Sequence, residues 1–303
     1  MKIFTSIDPK QLSPQEMHQH LLAAVAPRPI CLASTIDALG MVNLSPFSFF
    51  NVFSSNPPIL IFSPARRGKD NTIKHTLENV METQEVVINV VNHAMVNQVA
   101  LSSANFPKGE DEFKKAGFRP LKSQMVQPPR VAEAPVSFEC VVDRILPLGD
   151  GPGAGNLVLA KVVMMYVETA FLTEENTLAG EQLDLVARMG DQWYTRVTDK
   201  SLFKLPKGLG KIGIGVAALP PEAQTSSVLT GNDLAILGSI TQLPGKKEQE
   251  VVATLTVVQS LLAAPEASQK EAFHRLAQKF LRSGDPTTAL SVLLLSEKHH
   301  LSV

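Results

Sequence analysis

The sequence predicts an antiparallel β-barrel with inserted helices over residues 1–205, followed by a mostly helical extension over 206–303. Three observations carry this. Apolar runs of strand length, several joined by short turns, fill the first two thirds without the strict strand–helix alternation of a doubly wound sheet. No GxGxxG follows a strand, which speaks against a dinucleotide-binding Rossmann domain. After about Leu205 the apolar spacing turns helical.

Taken in order, Ser13-Pro14-Gln15-Glu16 is a capping box with Pro at the first helical position. Met17, Leu21, Leu22 and Val25 follow on one face. Pro27 and Pro29 stop that helix and favour extended chain. Ile30 to Thr35 reads as a strand, Asp37 to Gly40 as a turn with Gly40 at φ > 0, and Met41 to Leu44 as the returning strand. Ile59 to Phe62, a continuous apolar run, suits a strand buried on both faces. A helix is expected from about Asp70 to Thr83, then a strand over Glu85 to Val91. His93 to Ser103 and Asp111 to Ala116 read as helical, with Gly117 as a stop. Pro135 to Leu148 and Asn156 to Val167 are long strands joined by the glycine-rich run Gly149 to Gly155, read as a mobile hairpin turn. That run lacks the P-loop spacing, and a strand follows it. Leu183 to Met189 and Tyr194 to Val197 complete the strands.

In the extension, Lys207-Gly208-Leu209-Gly210 and Pro220-Pro221 read as connections. One helix is expected from Gly245, with Val251, Val252, Leu255, Val258 and Leu262 on a shared face. Ser268-Gln269-Lys270-Glu271 reads as a second capping box. Gly284 ends that helix, Asp285-Pro286 opens another through Leu295, and His299-His300 fall in a loose tail.

Apolar residues make up 44% and charged residues 19% of 303 positions, enough for a sizeable core. The net charge of −1 offers no global field for nucleic acid or anionic membrane, so any anion site is built locally. Cys31 and Cys140 lie far apart in apolar runs and read as buried free thiols, not a disulfide framework or zinc site. The N-terminus lacks a signal-peptide core and no apolar stretch has membrane-spanning length, so a cytoplasmic setting is expected. The histidines form no metal pattern, and no Ser-His-Asp arrangement, nucleophile elbow or paired carboxylates stand out. An enzyme of this kind needs a bound cofactor for its chemistry.

The richest stretch runs from Ala26 to Thr72. Arg66-Arg67-Gly68-Lys69-Asp70-Asn71-Thr72 combines cations with the N–H donors of an expected helix start, which suits a phosphate. Ser63 stands just upstream. A solvated turn with Asp70 or Asn71 as a simple cap accounts for the same residues. In Asn43-Leu44-Ser45-Pro46-Phe47-Ser48-Phe49-Phe50-Asn51, alternation aims Asn43, Ser45, Phe47 and Phe49 one way and Leu44, Ser48 and Phe50 the other. Pro46 places part of this run at an edge or in a loop. Its polar groups suit the rim of a planar ring flanked by Phe47 or Phe50. Ordinary core aromatics and turn hydroxyls are the plainer account. Arg28, held between two prolines, is either a pre-oriented anion or ring contact or a surface residue. Arg188, in an apolar strand, needs an anion, a carbonyl or an internal ion pair if buried.

These residues resemble the flavin reductase-like, FMN-binding split-barrel family, in particular its flavoredoxin-like branch. The match runs through Pro27-Arg28-Pro29-Ile30, Ser34-Thr35, Gly40, the Asn43–Asn51 run, Pro57-Pro58 and Lys69-Asp70-Asn71-Thr72. It continues with Pro128-Pro129-Arg130-Val131, Phe138-Glu139-Cys140 and Ala187-Arg188-Met189-Gly190, covering roughly residues 20 to 200. Val228 to Leu234 is similar to longer members with a C-terminal extension. The resemblance implies a homodimer of Greek-key-like antiparallel split barrels with FMN near the dimer interface. It implies that Ser34 and Thr35, with Asn43, Leu44, Ser45, Pro46, Phe47 and Ser48, contact the isoalloxazine and ribityl chain. Ser63, Arg66 or Arg67, Lys69 and Thr72 then hold the phosphate. Arg28, Asn51, Asp70 and Arg188 are further cofactor-binding positions on this reading. The family motif reads Lys-Asp-Thr, whereas this chain carries an inserted Asn71.

The implied chemistry is hydride transfer from NADH or NADPH to FMN N5, with no catalytic side chain and no metal. Reduced FMN then passes to a partner oxygenase, or its electrons to another redox protein. Two rivals stand beside it: an FMN-containing electron-transfer protein with a protein donor, and a non-enzymatic binding protein on the same barrel. A pyridoxamine-phosphate oxidase-like activity fits these motifs less well.

Overall fold

The computed structural model describes residues 3–205 and 212–301. The expected connection Lys207 to Gly210 lies outside the described residues. Two compact units emerge, Met1–Phe203 and Lys204–Val303.

The first unit opens with α1 (Pro14–Ala24), capped as expected: the Ser13 hydroxyl accepts from Glu16 N, and the Glu16 carboxylate accepts from Ser13 N. Then come β1 (Arg28–Pro29), β2 (Cys31–Ile36), β3 (Val42–Phe47), β4 (Phe50–Ser55), β5 (Pro58–Phe62), α2 (His75–Thr83) and β6 (Glu85–Val90). A single 3-10 turn leads into α3 (Val96–Ser102), followed by α4 (Glu112–Ala116), β7 (Pro120–Leu121) and β8 (Arg130–Val131). The long strands β9 (Val136–Pro147) and β10 (Asn156–Val167) and the short β11 (Val186–Gly190) and β12 (Trp193–Arg196) close the unit.

Seven strands form one antiparallel sheet in the order β3-β2-β6-β9-β10-β5-β4. Its two edge strands, β3 and β4, are consecutive in sequence and joined only by Ser48 and Phe49. A flat sheet would hold its edges six strand spacings apart, farther than a two-residue link can reach. The sheet therefore curls until its edges meet, yet β3 and β4 do not pair. The result is an open, split barrel. β5 returns to β6 across β10 and β9, a Greek-key type of connection. Pro46 sits on the edge strand β3, where its missing N–H removes no ladder bond.

Alternation along β2 sorts the core. Cys31 and Ala33 face the barrel interior with Phe47, Phe62, Ile88, Cys140 and Val158, while Leu32 faces outward with Leu44, Met95, Val99 and Phe113. Leu77 and Val80 of α2 enter the interior set. Both cysteines are free and buried, and burial raises both thiol pKa values, that of Cys140 to about 12. Gly40 takes φ 85 in the expected β2–β3 turn.

Several expectations change. α2 begins at His75, not near Asp70, because Asn71 takes φ 58, a left-handed conformation that breaks helical propagation. β5 is buried on alternate residues, Leu60 and Phe62, and not on both faces. None of the α1 side chains is fully buried: Met17 and Leu22 are half-buried, and Leu21 is exposed.

The second unit contains α5 (Pro221–Gln224), α6 (Gly231–Gly238), α7 (Lys246–Ala253), α8 (Thr256–Leu262), α9 (Glu266–Arg282) and α10 (Pro286–Leu301). The single helix expected after Gly245 is two, broken at Leu255, whose ψ of 127 is extended. The break lets α7 pack on α10 and α8 on α9, burying Val252 and Val258 in one cluster with Phe273 and Leu290. α9 starts at Glu266, so Ser268 lies inside it and not at its cap. Gly284, at φ 80, follows the end of α9 as expected. α10 continues through Leu301, so the backbone of His299 and His300 is helical and not a loose tail.

Ser226 Oγ accepts from the N–H groups of Val228 (3.1 Å) and Leu229 (3.0 Å), which leaves its hydrogen for His274 Nδ1 at 2.7 Å. The buried imidazole must then be neutral at Nδ1. Burial lowers its pKa, Lys270 adds to this, and Glu222 opposes it.

Two measurements test this packing. Phe62→Ala should destabilise the barrel by about 3–5 kcal/mol in denaturant unfolding, the range for an emptied aromatic site. For His274 the folded pKa lies below the unfolded value of about 6.5. Its contribution is therefore complete above that pH and lost as pH falls through it. Stability should decline as pH falls below about 6.5, and His274→Gln should flatten that decline.

Candidate functional site

A cleft opens beside the end of the edge strand β3. About 250 Å³ of space is lined by Ile30, Pro46, Phe47, Ser48, Val99, Ala100, Ser103, Arg188 and Tyr194. β3 supplies one wall, α3 the second, and the β11–β12 hairpin the third. Past Tyr194 and Ala100, which both spaces share, a second hollow of about 300 Å³ is lined by His93, Asn97, Thr195 and Arg196 among others. Together they fall in the size range of small-molecule sites.

The predicted residues separate into groups. Pro46, Phe47, Ser48 and Arg188 meet in the cleft. Ser34, Thr35, Asn43 and Leu44 lie on the paired strands β2 and β3, Ser34 opposite Leu44 and Thr35 opposite Asn43. All four are buried, and Ser34 and Thr35 are 0% exposed, so neither reaches the cleft surface. Asn43 Nδ2 donates to Thr76 Oγ1 (2.8 Å) and Asn79 Nδ2 to Thr35 Oγ1 (3.1 Å), which fixes the start of α2 against the barrel. Leu44 N–H, on the edge strand, donates to the buried Glu112 carboxylate (3.0 Å). Burial raises the Glu112 pKa, against that bond. Ser45 is half-buried on β3. Asn51 is exposed on β4, its Oδ1 accepting from Val52 N.

The basic run forms a closed loop ahead of α2. Arg67 N–H donates to Thr72 O (2.8 Å) and Asn71 N–H to Arg67 O (3.0 Å). Arg66 holds Asn71 through Nε to Oδ1 (2.7 Å) and Nη2 to the carbonyl (2.6 Å), and Arg67 Nη1 reaches Thr72 Oγ1 and the Ile73 carbonyl. Asp70 accepts from both N–H and hydroxyl of Thr72, and the hydroxyl bond holds its pKa low. Lys69 is exposed. The glycine-rich β9–β10 turn, expected to be mobile, is fastened here: Arg66 N–H donates to Ala154 O, Gly153 N–H to Arg66 O, and Asn71 Nδ2 to Asp150 O. A Cβ on Gly155 would stand 2.7 Å from Ser63 Oγ, so a larger residue there would have to displace that hydroxyl.

Arg28 is 6% exposed beneath the end of α1. Its Nη1 donates to the carbonyls of Leu22 and Val25, both at 2.5 Å. Pro128 to Val131 and Glu139 hold the crossing loop, not the cleft. Asn89 Oδ1 accepts from Val131 N, and Glu139, 0% exposed, accepts from Gln124 N (2.9 Å) and Met125 N (2.6 Å). Burial pushes the Glu139 pKa up, but these N–H donors outweigh it.

Sequence reasoning missed Lys74. It occupies the position just before α2, and its ammonium lies 5.5 Å above the Phe47 ring. Burial, and then Arg67, lowers its pKa. Lys74-His75-Thr76 is an uninterrupted Lys-x-Thr at the true helix start, the signal that could have found it. Tyr194 was also missed, although it stands opposite Arg188 across the β11–β12 hairpin.

The flavin reductase like domain family matches residues 23–187. An uncharacterized protein of Aquifex aeolicus is 34% identical over 196 residues, covering 65% of this chain and 97% of its own. Nitrilotriacetate monooxygenase component B from Bacillus cereus superposes with a TM-score of 0.63 at 28% identity, over 68% of this chain and all of that one. A split-barrel protein of Shewanella frigidimarina gives 0.56 at 25% identity, over 65% and 95%. With more than half of its length matched and the same split barrel, this chain belongs to the flavin reductase like domain family.

Proposed function

We propose that this protein binds FMN at the split seam and reduces it with NADH or NADPH. The observation that carries the reading is Lys74. Among the described residues no carboxylate pairs with this half-buried ammonium, and it stands over Phe47, a residue of the cleft wall. An uncompensated cation at a helix start, beside a cleft with one flat apolar side and hydroxyls at Ser48 and Ser103, fits an anionic group joined to a planar ring.

In this reading Lys74 and the first N–H groups of α2 hold the phosphate. Arg67 adds charge, and the Arg66–Asn71 clasp keeps that loop in shape. The Thr35-Asn43-Thr76-Asn79 network orients α2, and the Pro46–Ser48 backbone and Val99 and Ala100 of α3 flank the ring. Bound FMN supplies the hydride acceptor at its N5. The side chains bind, orient and exclude water, and none need move a proton. The component B relative supports delivery of reduced flavin to an oxygenase partner.

We also propose a homodimer. Val52 and Phe53 stand 63% and 65% exposed on the edge strand β4, which leaves backbone groups and apolar surface unpaired. No described helix is long and apolar enough to cross a membrane.

Titration of purified protein with FMN, followed by anaerobic NADH or NADPH, tests the function. A bound flavin spectrum that bleaches supports it, and failure to retain flavin removes it. Lys74→Ala should weaken FMN binding by about 1–3 kcal/mol, the range for losing charge-assisted bonds. Lys69→Ala, at an exposed position, should cost less than about 1 kcal/mol. The reverse order would move the phosphate to the loop. Phe53→Asp should shift the protein toward monomer in sedimentation analysis.

A further inference from the structure

Two arginines meet beside the cleft. Arg28 and Arg188 are direct register partners on β1 and β11, so their side chains leave the same face of that small sheet. Arg28 is nine-tenths buried, and its Nε and Nη2 have no hydrogen-bond partner. Arg188 lies 4.7 Å from the Tyr194 ring centroid, donates Nη1 to Tyr194 OH (2.8 Å) and donates Nη2 to the Asp191 carbonyl (2.5 Å). Both guanidiniums therefore meet only neutral acceptors. Among the described residues no salt bridge reaches either one. Burial and the neighbouring Arg188 both lower the Arg28 pKa, yet a guanidinium does not give up its proton.

Two uncompensated cations side by side, one of them buried with orphaned donors, are costly unless an anion joins them. FMN carries a single phosphate, and the proposed function places it at Lys74, at the far side of Phe47. The second cationic end of the cleft is then free for another ligand.

We infer that Arg188, backed by Arg28, binds an anionic group of the second substrate, a phosphate of the nicotinamide donor or the carboxylate of an aromatic acceptor. Arg188 lines the cleft itself and makes the contact. Arg28 acts from behind, through charge and by tying the end of α1 to β1. The adjoining hollow with Asn97, Thr195 and Arg196 receives the rest of that ligand. Arg196 is already paired with Asp184 through two bonds, so it adds shape more than charge. This inference rests on the flavin reading for the placement of FMN, but not for the anion site itself.

The test is isothermal titration of full-length protein, with and without FMN, using NAD+, NADP+ and benzoate as non-turnover probes, on wild type, Arg188→Gln and Arg188→Lys. Gln removes the charge and leaves a polar side chain, whereas Lys keeps the charge. The expected result is at least a ten-fold loss of affinity for one probe in Arg188→Gln, partial recovery in Arg188→Lys, and an FMN Kd within two-fold of wild type. Loss for the dinucleotides assigns a donor phosphate, and loss for benzoate assigns an acceptor carboxylate. Raised salt should weaken wild-type binding more than that of Arg188→Gln. An equal loss of FMN affinity would place the flavin phosphate at Arg188 and overturn the inference. So would probe binding unchanged in Arg188→Gln, no probe binding to wild type, or a shift confined to the dimer equilibrium. If wild type takes up no FMN, the flavin reading fails separately, and the probe titrations on flavin-free protein still decide the role of Arg188.

Discussion

The barrel depends on one short link. Ser48 and Phe49 are all that joins the two edge strands of a seven-stranded sheet. Chain length then forces the sheet to curl, and the missing β3–β4 pairing leaves a seam. Much follows from that constraint. The interior fills with Cys31, Phe47, Phe62 and the α2 residues Leu77 and Val80. The outer face of β2 and β3 is covered by α3 and α4, and Glu112 satisfies an edge N–H that would otherwise be bare. The residues flanking the link, Pro46 to Ser48, become a cleft wall because they stand where the barrel is open.

Charge in the first unit is distributed by the same geometry. The Arg66–Thr72 loop spends most of its hydrogen-bonding capacity on itself and on the β9–β10 turn. It behaves as a clasp, with Lys69 exposed on it and Lys74 standing just before α2. Arg28 and Arg188 face neutral acceptors alone. Arg188 thus brings positive charge to the cleft wall beside the apolar side chains of Ile30, Phe47 and Val99, and Lys74 stands over the ring of Phe47.

The second unit stands as a helical cluster of its own, built around Leu237, Val258, Phe273 and Leu290. Its polar interior contact, the neutral His274 receiving the Ser226 hydroxyl, makes its packing sensitive to proton concentration. The family match ends at residue 187, so this unit's part in the chemistry is outside what that match covers.

The sequence by itself determined the local elements: the Ser13 cap, the Gly40 turn, the β9–β10 hairpin and the burial of both cysteines. Each rests on neighbours a few residues apart. The ordered motifs from Pro27 to Gly190 also identified the family, and with it the split barrel. What the sequence obscured was where α2 begins. Lys69-Asp70-Asn71-Thr72 carries the look of a helix start, but Asn71 turns left-handed, held there by Arg66 and by Asp150, which lies 79 positions away. The start of α2 therefore stands at Lys74-His75 and not at the Lys69 turn. Ser34 and Thr35 read as polar and available, yet both are buried: Ser34 is paired with β3 and β6, and Thr35 lies opposite Asn43 of β3 under Asn79 of α2. The Arg28–Arg188 pair arises from a strand register across 160 residues of chain. Only tertiary structure decided these matters, because each is set by contacts between segments whose separation in sequence carries no record of their distance in space.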